Sequence, residues 1–164
     1  MSLSRNLLAF FATVSHAEGT DQAADPYRVC YAFVHTIASF ADHPAASGEW
    51  TGEILTDQQC RNAGVPPGCK STAAGRYQIN LPTWRTCKQA LGLKDFTPDS
   101  QDRAAAYLIQ KDGALDMVNG GQFADAITKC RETWASLPGN SAGQPQRTLA
   151  SLTSFYADAG GAFA

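Results

Sequence analysis

The sequence predicts a helix-dominated α+β domain with a small β-rich insertion after the first helix. Three observations carry that prediction. The second half sets apolar residues at helical spacing between Pro and Gly boundaries. The stretch Tyr27–Phe40 is instead rich in aromatic and β-branched residues. Finally, 164 residues with 44% hydrophobic and 17% charged side chains suit a single domain, 1–164, able to bury its own core and unlike a disordered chain.

Helix one is expected from about Ser2 to Ala17, because Leu3, Leu7, Phe10 or Phe11 and Val14 recur on one face and Gly19 follows. The same stretch also reads as a short signal peptide. Arg5 would be its basic region, Leu7–Val14 its apolar core and Ser15-His16-Ala17 its cleavage site. Tyr27–Phe40 should hold one or two short strands, Trp50–Ile54 part of a hairpin, and Arg76–Ile79 another short strand. Gln58–Cys69 reads as a loop broken by Gly64, Pro66, Pro67 and Gly68.

Helices follow over Pro82–Ala90 (ended by Gly92), after the Thr97-Pro98 cap as far as Gly113, and over Ala114–Val118. A stripe of Phe123, Ala126, Ile127 and Cys130 runs on toward Pro138-Gly139. A last helix carries Leu149, Leu152 and Phe155 or Tyr156, before Gly160-Gly161.

A net charge of −2 argues against a nucleic-acid partner, since a phosphate-backbone binder normally carries a basic excess. No apolar run reaches the about 20 residues that span a bilayer, so no stable membrane insertion is expected. Five cysteines leave at least one unpaired within the chain. None is spaced as a zinc ligand, and no metal site is expected. Cys60 and Cys69 flank the Pro-Pro-Gly turn and can close one loop by a disulfide; the alternative is that all five are reduced thiols.

Glu18 carries the strongest chemical signal. It lies four residues after Val14, at the end of an apolar helix face, so its carboxyl points toward the core. A carboxyl stripped of water keeps its proton to higher pH, as a general acid requires. The structural alternative is a helix-end Glu bonded to nearby backbone. Asp42-His43-Pro44 reads as an Asp-initiated turn or a carboxylate–imidazole pair. Lys70-Ser71-Thr72, next to glycine, suggests a phosphate cradle, but the full order of a phosphate-binding loop (Gly, four residues, Gly-Lys-Ser/Thr) is absent. No Gly-x-Ser-x-Gly occurs, and Cys30 reads as a buried thiol rather than a nucleophile. Tyr77-Gln78, Trp134 and Trp50 combine aromatic faces with amides or hydroxyls, the pairing a sugar cleft uses; each aromatic alone also suits a core.

Taken in order, several motifs resemble the phage lambda endolysin family of lytic transglycosylases. They are Ser15-His16-Ala17-Glu18-Gly19-Thr20-Asp21, Asp42-His43-Pro44, and Lys70-Ser71-Thr72-Ala73-Ala74-Gly75-Arg76-Tyr77-Gln78-Ile79. Leu91-Gly92-Leu93-Lys94-Asp95-Phe96, Ser100-Gln101-Asp102, Gly113-Ala114-Leu115, Trp134-Ala135-Ser136-Leu137-Pro138-Gly139 and Ala159-Gly160-Gly161 complete the set. They cover nearly the whole chain.

The resemblance implies a lysozyme-like fold with a cleft between two lobes, Glu18 as the single catalytic residue, and no metal or organic cofactor. It counts against cleavage after Ala17, which would delete the helix that holds Glu18. It implies that peptidoglycan glycan strands are cut between N-acetylmuramic acid and N-acetylglucosamine to give a 1,6-anhydro product. The enzyme would be a monomer that waits in the host cytoplasm, leaves through a separate holin and acts in the periplasm. Tyr77 and Gln78 would line the cleft, with Ser71, Trp134 and Asn140 as further sugar contacts. One cleft lip maps onto about Lys129–Gln144. The other maps between Pro44 and Lys70, where this chain is longer than the family pattern, whereas Thr20–Tyr27 is shorter. Two alternatives remain: a muramidase on the same fold with Asp42 or Asp21 as second carboxylate, and a wall-binding module without catalysis.

Overall fold

The computed structural model describes residues 3–140 and 146–164. Its helices are α1 (Arg5–Ala17), α2 (Pro44–Ser47), α3 (Asp57–Asn62), α4 (Leu81–Leu91), α5 (Pro98–Lys111), α6 (Leu115–Asn119), α7 (Phe123–Cys130) and α8 (Leu149–Asp158). Two short strands, β1 (Glu53–Ile54) and β2 (Lys70–Ser71), pair antiparallel with Glu53 opposite Ser71. The architecture is thus helix-dominated with a very small sheet. The chain divides into two compact units, residues 1–21 with 105–164, and residues 22–104. Helix α5 starts in the second and ends in the first.

In the first unit, α1 packs on α6 and α8, and α7 packs on both of these. Ser4 caps α1, its hydroxyl accepting from the Leu7 amide at 3.0 Å, which satisfies one of the open donors of the first turn. Leu7, Phe10, Phe11 and Val14 are buried as their spacing predicts, but Leu3 is exposed and precedes the helix. The expected start at Ser2 lies outside the described residues. Phe123 is the aromatic hub: it meets Phe10 edge-on at 6.1 Å and stacks on Tyr156 at 4.4 Å. Of the two residues expected to face inward from α8, Tyr156 is the buried one.

The second unit has little regular structure. Its core is aromatic: Trp84 and His43 both contact Phe96 edge-on, at 4.7 and 5.0 Å, beside the buried Ile37 and Tyr77.

Several sequence expectations fail in this unit, each for a local reason. Tyr27–Phe40 is not a pair of strands. It holds 3₁₀ turns at Pro26–Arg28 and Tyr31–Phe33, and the extended geometry survives as a bridge between Val29 and Thr36. Pro26 and the left-handed backbone of Ala32 and Phe33 interrupt the run. Arg76–Ile79 is a turn closed by the Gln78 amide on the Gly75 carbonyl, with a bridge between Ala74 and Ile79.

The start of the expected loop Gln58–Cys69 is helix α3. Thr56 and Gln59 cap it reciprocally, a signature present in the sequence as Thr-x-x-Gln. In the first unit, α7 stops at Cys130 rather than near Pro138, and residues 131–140 form successive turns.

Candidate active site

Glu18 is the C-cap of α1: its amide donates to the Val14 carbonyl, and the Gly19 amide donates to that of His16. Gly19 then adopts a φ of +75°, which turns the chain sharply away at little steric cost. Two side-chain pairs straddle this turn. Ser15 Oγ and Thr20 Oγ1 lie 2.9 Å apart and buried, and His16 Nδ1 lies 2.6 Å from Asp21 Oδ2. The His16 ring also stacks on Phe155 of α8 at 4.0 Å. The end of α1 is therefore pinned on both sides of Glu18.

The Glu18 carboxyl accepts a 2.6 Å hydrogen bond at Oε1 from Ser136 Oγ. Ser136 is its sole side-chain hydrogen-bond partner among the described residues. Burial raises the Glu18 pKa to about 7, against a smaller lowering by the Ser136 hydrogen bond. The inward-facing, proton-holding carboxyl expected from the sequence is present.

Ser136 belongs to the turns that follow α7. Trp134 and Leu137 are buried beneath them, and Asn140 Nδ2 donates to the Arg131 carbonyl at 2.6 Å, closing the segment on itself. Trp134, expected to offer a face to sugar, is only 3% exposed, so it anchors the turn instead. The expected lip extends to Gln144, but residues 141–144 lie outside the described ones. Nothing in the local sequence pairs Ser136 with a carboxyl 118 positions away, and it was missed for that reason.

In the second unit, Tyr77 is 0% exposed, which corrects the expectation that it touches substrate. Its hydroxyl donates to Asp102 Oδ1, which also accepts from Tyr27 Oη at 2.9 Å, and Arg76 Nη1 donates to Tyr27 Oη at 2.8 Å. Tyr77 thus stiffens the wall behind its neighbour. Gln78 is half-buried; its Nε2 donates to the carbonyls of Val29 and Gly75 at 3.1 and 3.0 Å. That leaves its Oε1 without a hydrogen bond among the described residues. Ser71 is nearly buried, with Oγ accepting from the Ala73 amide at 3.3 Å.

Asp42 and His43 prove structural. The Trp84 indole donates to Asp42 at 2.9 Å, and Lys88 adds an ion pair; these hydrogen bonds outweigh burial and hold the Asp42 pKa below its usual value. His43 is fully buried. Its Nε2 donates to the Ile79 carbonyl at 2.9 Å and its Nδ1 accepts from Ala45, while burial lowers its pKa, so the ring is neutral. Cys60 and Cys69 are disulfide-bonded. Cys30, Cys87 and Cys130 are buried and not disulfide-bonded, and burial pushes Cys30 up to about 12, which removes it as a nucleophile.

Comparison with known proteins points to one family. A family model described as Endolysin matches residues 8–163. The chain belongs to the endolysin family. It is 34% identical over 165 residues to the endolysin of Escherichia phage P2, covering 96% of this chain and 94% of that one. Against the endolysin of Escherichia phage lambda it is 42% identical over 113 residues, covering 67% and 72%.

Two solved structures share the fold. Bacteriophage lambda lysozyme complexed with a chitohexasaccharide aligns with a TM-score of 0.82 at 32% identity, covering 100% of this chain and 99% of that one. A second structure of lysozyme from bacteriophage lambda gives 0.78 at 31% identity, with the same coverage. The endolysin is therefore lysozyme-like, a peptidoglycan-degrading enzyme of phage lysis.

Proposed function

We propose that this endolysin is a lytic transglycosylase that cuts the β-1,4 bond between N-acetylmuramic acid and N-acetylglucosamine, with Glu18 as its single acid and base. The observation that supports this most directly is the desolvated Glu18 carboxyl, whose pKa of about 7 keeps much of it protonated near neutral pH. A glycan substrate is carried over from lambda lysozyme, whose structure holds a chitohexasaccharide.

In this scheme protonated Glu18 donates to the glycosidic oxygen as the C1–O bond breaks and its electron pair passes to that oxygen. The resulting carboxylate takes the proton from the C6 hydroxyl of the same muramic acid residue as O6 bonds to C1. The 1,6-anhydro ring forms, and Glu18 is again protonated. No water has to be positioned, because the nucleophile is part of the substrate. Gln78 Oε1, Ser71 and Asn140 are the proposed polar contacts to the glycan, and none of the steps uses a cofactor.

A hydrolase on this fold would use a second carboxylate. The two candidates are already engaged, Asp21 by His16 and Asp42 by Lys88 and Trp84, which favours the one-carboxylate scheme. As for delivery, the enzyme is taken to act as a monomer on periplasmic peptidoglycan after release from the host cytoplasm through a holin.

The test is a digest of purified Gram-negative peptidoglycan, with soluble fragments read by mass spectrometry beside a Glu18→Gln control. Fragments one water lighter than the reducing sugars, absent from the control, are expected. Reducing ends would instead mean a muramidase, and binding without fragments a non-catalytic module.

A further inference from the structure

A carboxylic acid that acts as an acid has two oxygens in different roles, one carbonyl-like and one carrying the proton. In water these exchange freely. In a desolvated site the protein's hydrogen bonds decide between them. Glu18 has one side-chain partner among the described residues, and that partner donates: Ser136 Oγ–H reaches Oε1 at 2.6 Å. An oxygen that accepts a donated hydrogen plays the carbonyl part, so the acid's own proton belongs on Oε2.

The surroundings hold Ser136 to this task. It is 5% exposed, between the buried Trp134 and the fully buried Leu137, so its hydroxyl has little competition from water. Its turn is fixed by the Leu137 amide on the Trp134 carbonyl at 3.0 Å, the Trp134 amide on the Cys130 carbonyl at 3.1 Å, and the Asn140 side chain on Arg131. On the other partner, the Ser15–Thr20 and His16–Asp21 pairs fix the end of α1. Donor and acceptor are each held by their own element.

We propose that Ser136 is a positioning residue that assigns the transferable proton of Glu18 to Oε2 and steadies the carboxylate formed when that proton leaves. The inference rests on Glu18 being the general acid. Proton transfer from Oε2 to the glycosidic oxygen leaves negative charge shared by both carboxylate oxygens. A hydrogen bond to a charged acceptor is roughly twice as strong as one to a neutral acceptor. The Ser136 bond therefore tightens as the reaction proceeds, which makes it worth more in the transition state than in the bound ground state. Charge returns to zero when the carboxylate takes the C6 hydroxyl proton, so the same bond serves both halves of the reaction.

The test compares Ser136→Ala and Ser136→Thr with the parent, reading the release of soluble fragments from purified Gram-negative peptidoglycan across pH, with Glu18→Gln run in parallel. For Ser136→Ala the expected result is a maximal rate about tenfold lower with substrate dependence little changed, in keeping with one lost hydrogen bond to a charged group. Its alkaline limb should move to higher pH, because the lost bond favours the ionised form. Ser136→Thr, which keeps the hydroxyl, should restore both.

A carbon-13 titration of the Glu18 carboxyl reads the same shift without turnover. Should Ser136→Thr be too large for the site, Ser136→Cys keeps the volume with a weak donor, and an intermediate effect is expected. The proposal is overturned if Ser136→Ala keeps the parent rate and pH profile, or if the alanine, threonine and cysteine variants are all equally impaired with the same profile. Glu18→Gln retaining turnover would instead overturn the assignment of Glu18 itself.

Discussion

A Cβ placed on Gly75 would lie 2.2 Å from Gln101 Oε1, while the backbone there holds a φ of +77°. Gln101 cannot step aside cheaply. It is 1% exposed, its Oε1 accepts from the Arg76 amide at 2.9 Å, and its Nε2 donates to the carbonyls of Phe96 and Tyr27. One buried amide thus ties three loop segments together, and only a glycine lets the turn before Gln78 approach it. Gly75→Ala is expected to destabilise the fold by about 2–4 kcal/mol, through overpacking and a strained φ together. A urea denaturation midpoint equal to the parent's would contradict this account.

The pH dependence follows from the raised pKa of Glu18. On the proposed mechanism the acid form is the active one, so fragment release should fall as pH rises through about 7. Stability has the same sign. A carboxyl whose folded pKa lies above its unfolded 4.5 contributes stability in full below 4.5, and that contribution is lost as pH rises to about 7. Relative to Glu18→Gln, the parent should lose about 3 kcal/mol across that window, the product of the shift and 1.36 kcal/mol per unit. Melting both proteins from pH 4.5 to 8 checks it; parallel curves would mean that the carboxyl is not desolvated.

Helix α3 has six residues, too few to hold a helix unaided. Across residues 56–68, Cys60 is the single buried side chain, so the bond to Cys69 is the segment's main anchor. Reduction, or Cys60→Ser with Cys69→Ser, should free this stretch. Trypsin should then cut after Arg61 at least tenfold faster than in the oxidised protein, consistent with a loop-closure effect of about 2–3 kcal/mol. Equal cleavage rates would show that other contacts hold the segment.

Tyr77→Phe removes the hydroxyl on Asp102 and leaves the ring. Because the side chain is fully buried, the expected effect is on stability, a loss of about 1–2 kcal/mol. The KM for peptidoglycan and the chemical form of the product should stay as in the parent. A large rise in KM at unchanged melting temperature would return Tyr77 to the substrate face.

How much of this was legible depends on whether the relevant partners are near in sequence. The apolar stripe of α1 and the placement of Glu18 four residues after Val14 are local patterns, and both hold in the structure. The same is true of the helices ending at Gly92 and Gly113. The strand reading of Tyr27–Phe40 failed because propensity has little say where proline and two left-handed residues break the chain. Helix α3 carries its signature in the Thr56–Gln59 capping box, but the glycines and prolines that follow mark the same stretch as loop. Aromatic residues next to amides suggested a sugar-binding surface, yet burial assigned Tyr77 and Trp134 to the interior. Composition cannot decide that, since the same ring serves a core or a cleft.

By itself the sequence determined the helix-dominated class, the ordered motifs of the family, and a carboxyl at the end of an apolar helix face. Tertiary structure alone decided that Ser136 is the donor to that carboxyl, that Asp42 is spent on Lys88 and Trp84, and that Gln101 braces the turn at Gly75. The reason is physical. Periodicity and capping act over three or four residues and leave their mark in the chain. A hydrogen bond between distant segments is specified only by the packing that brings them together.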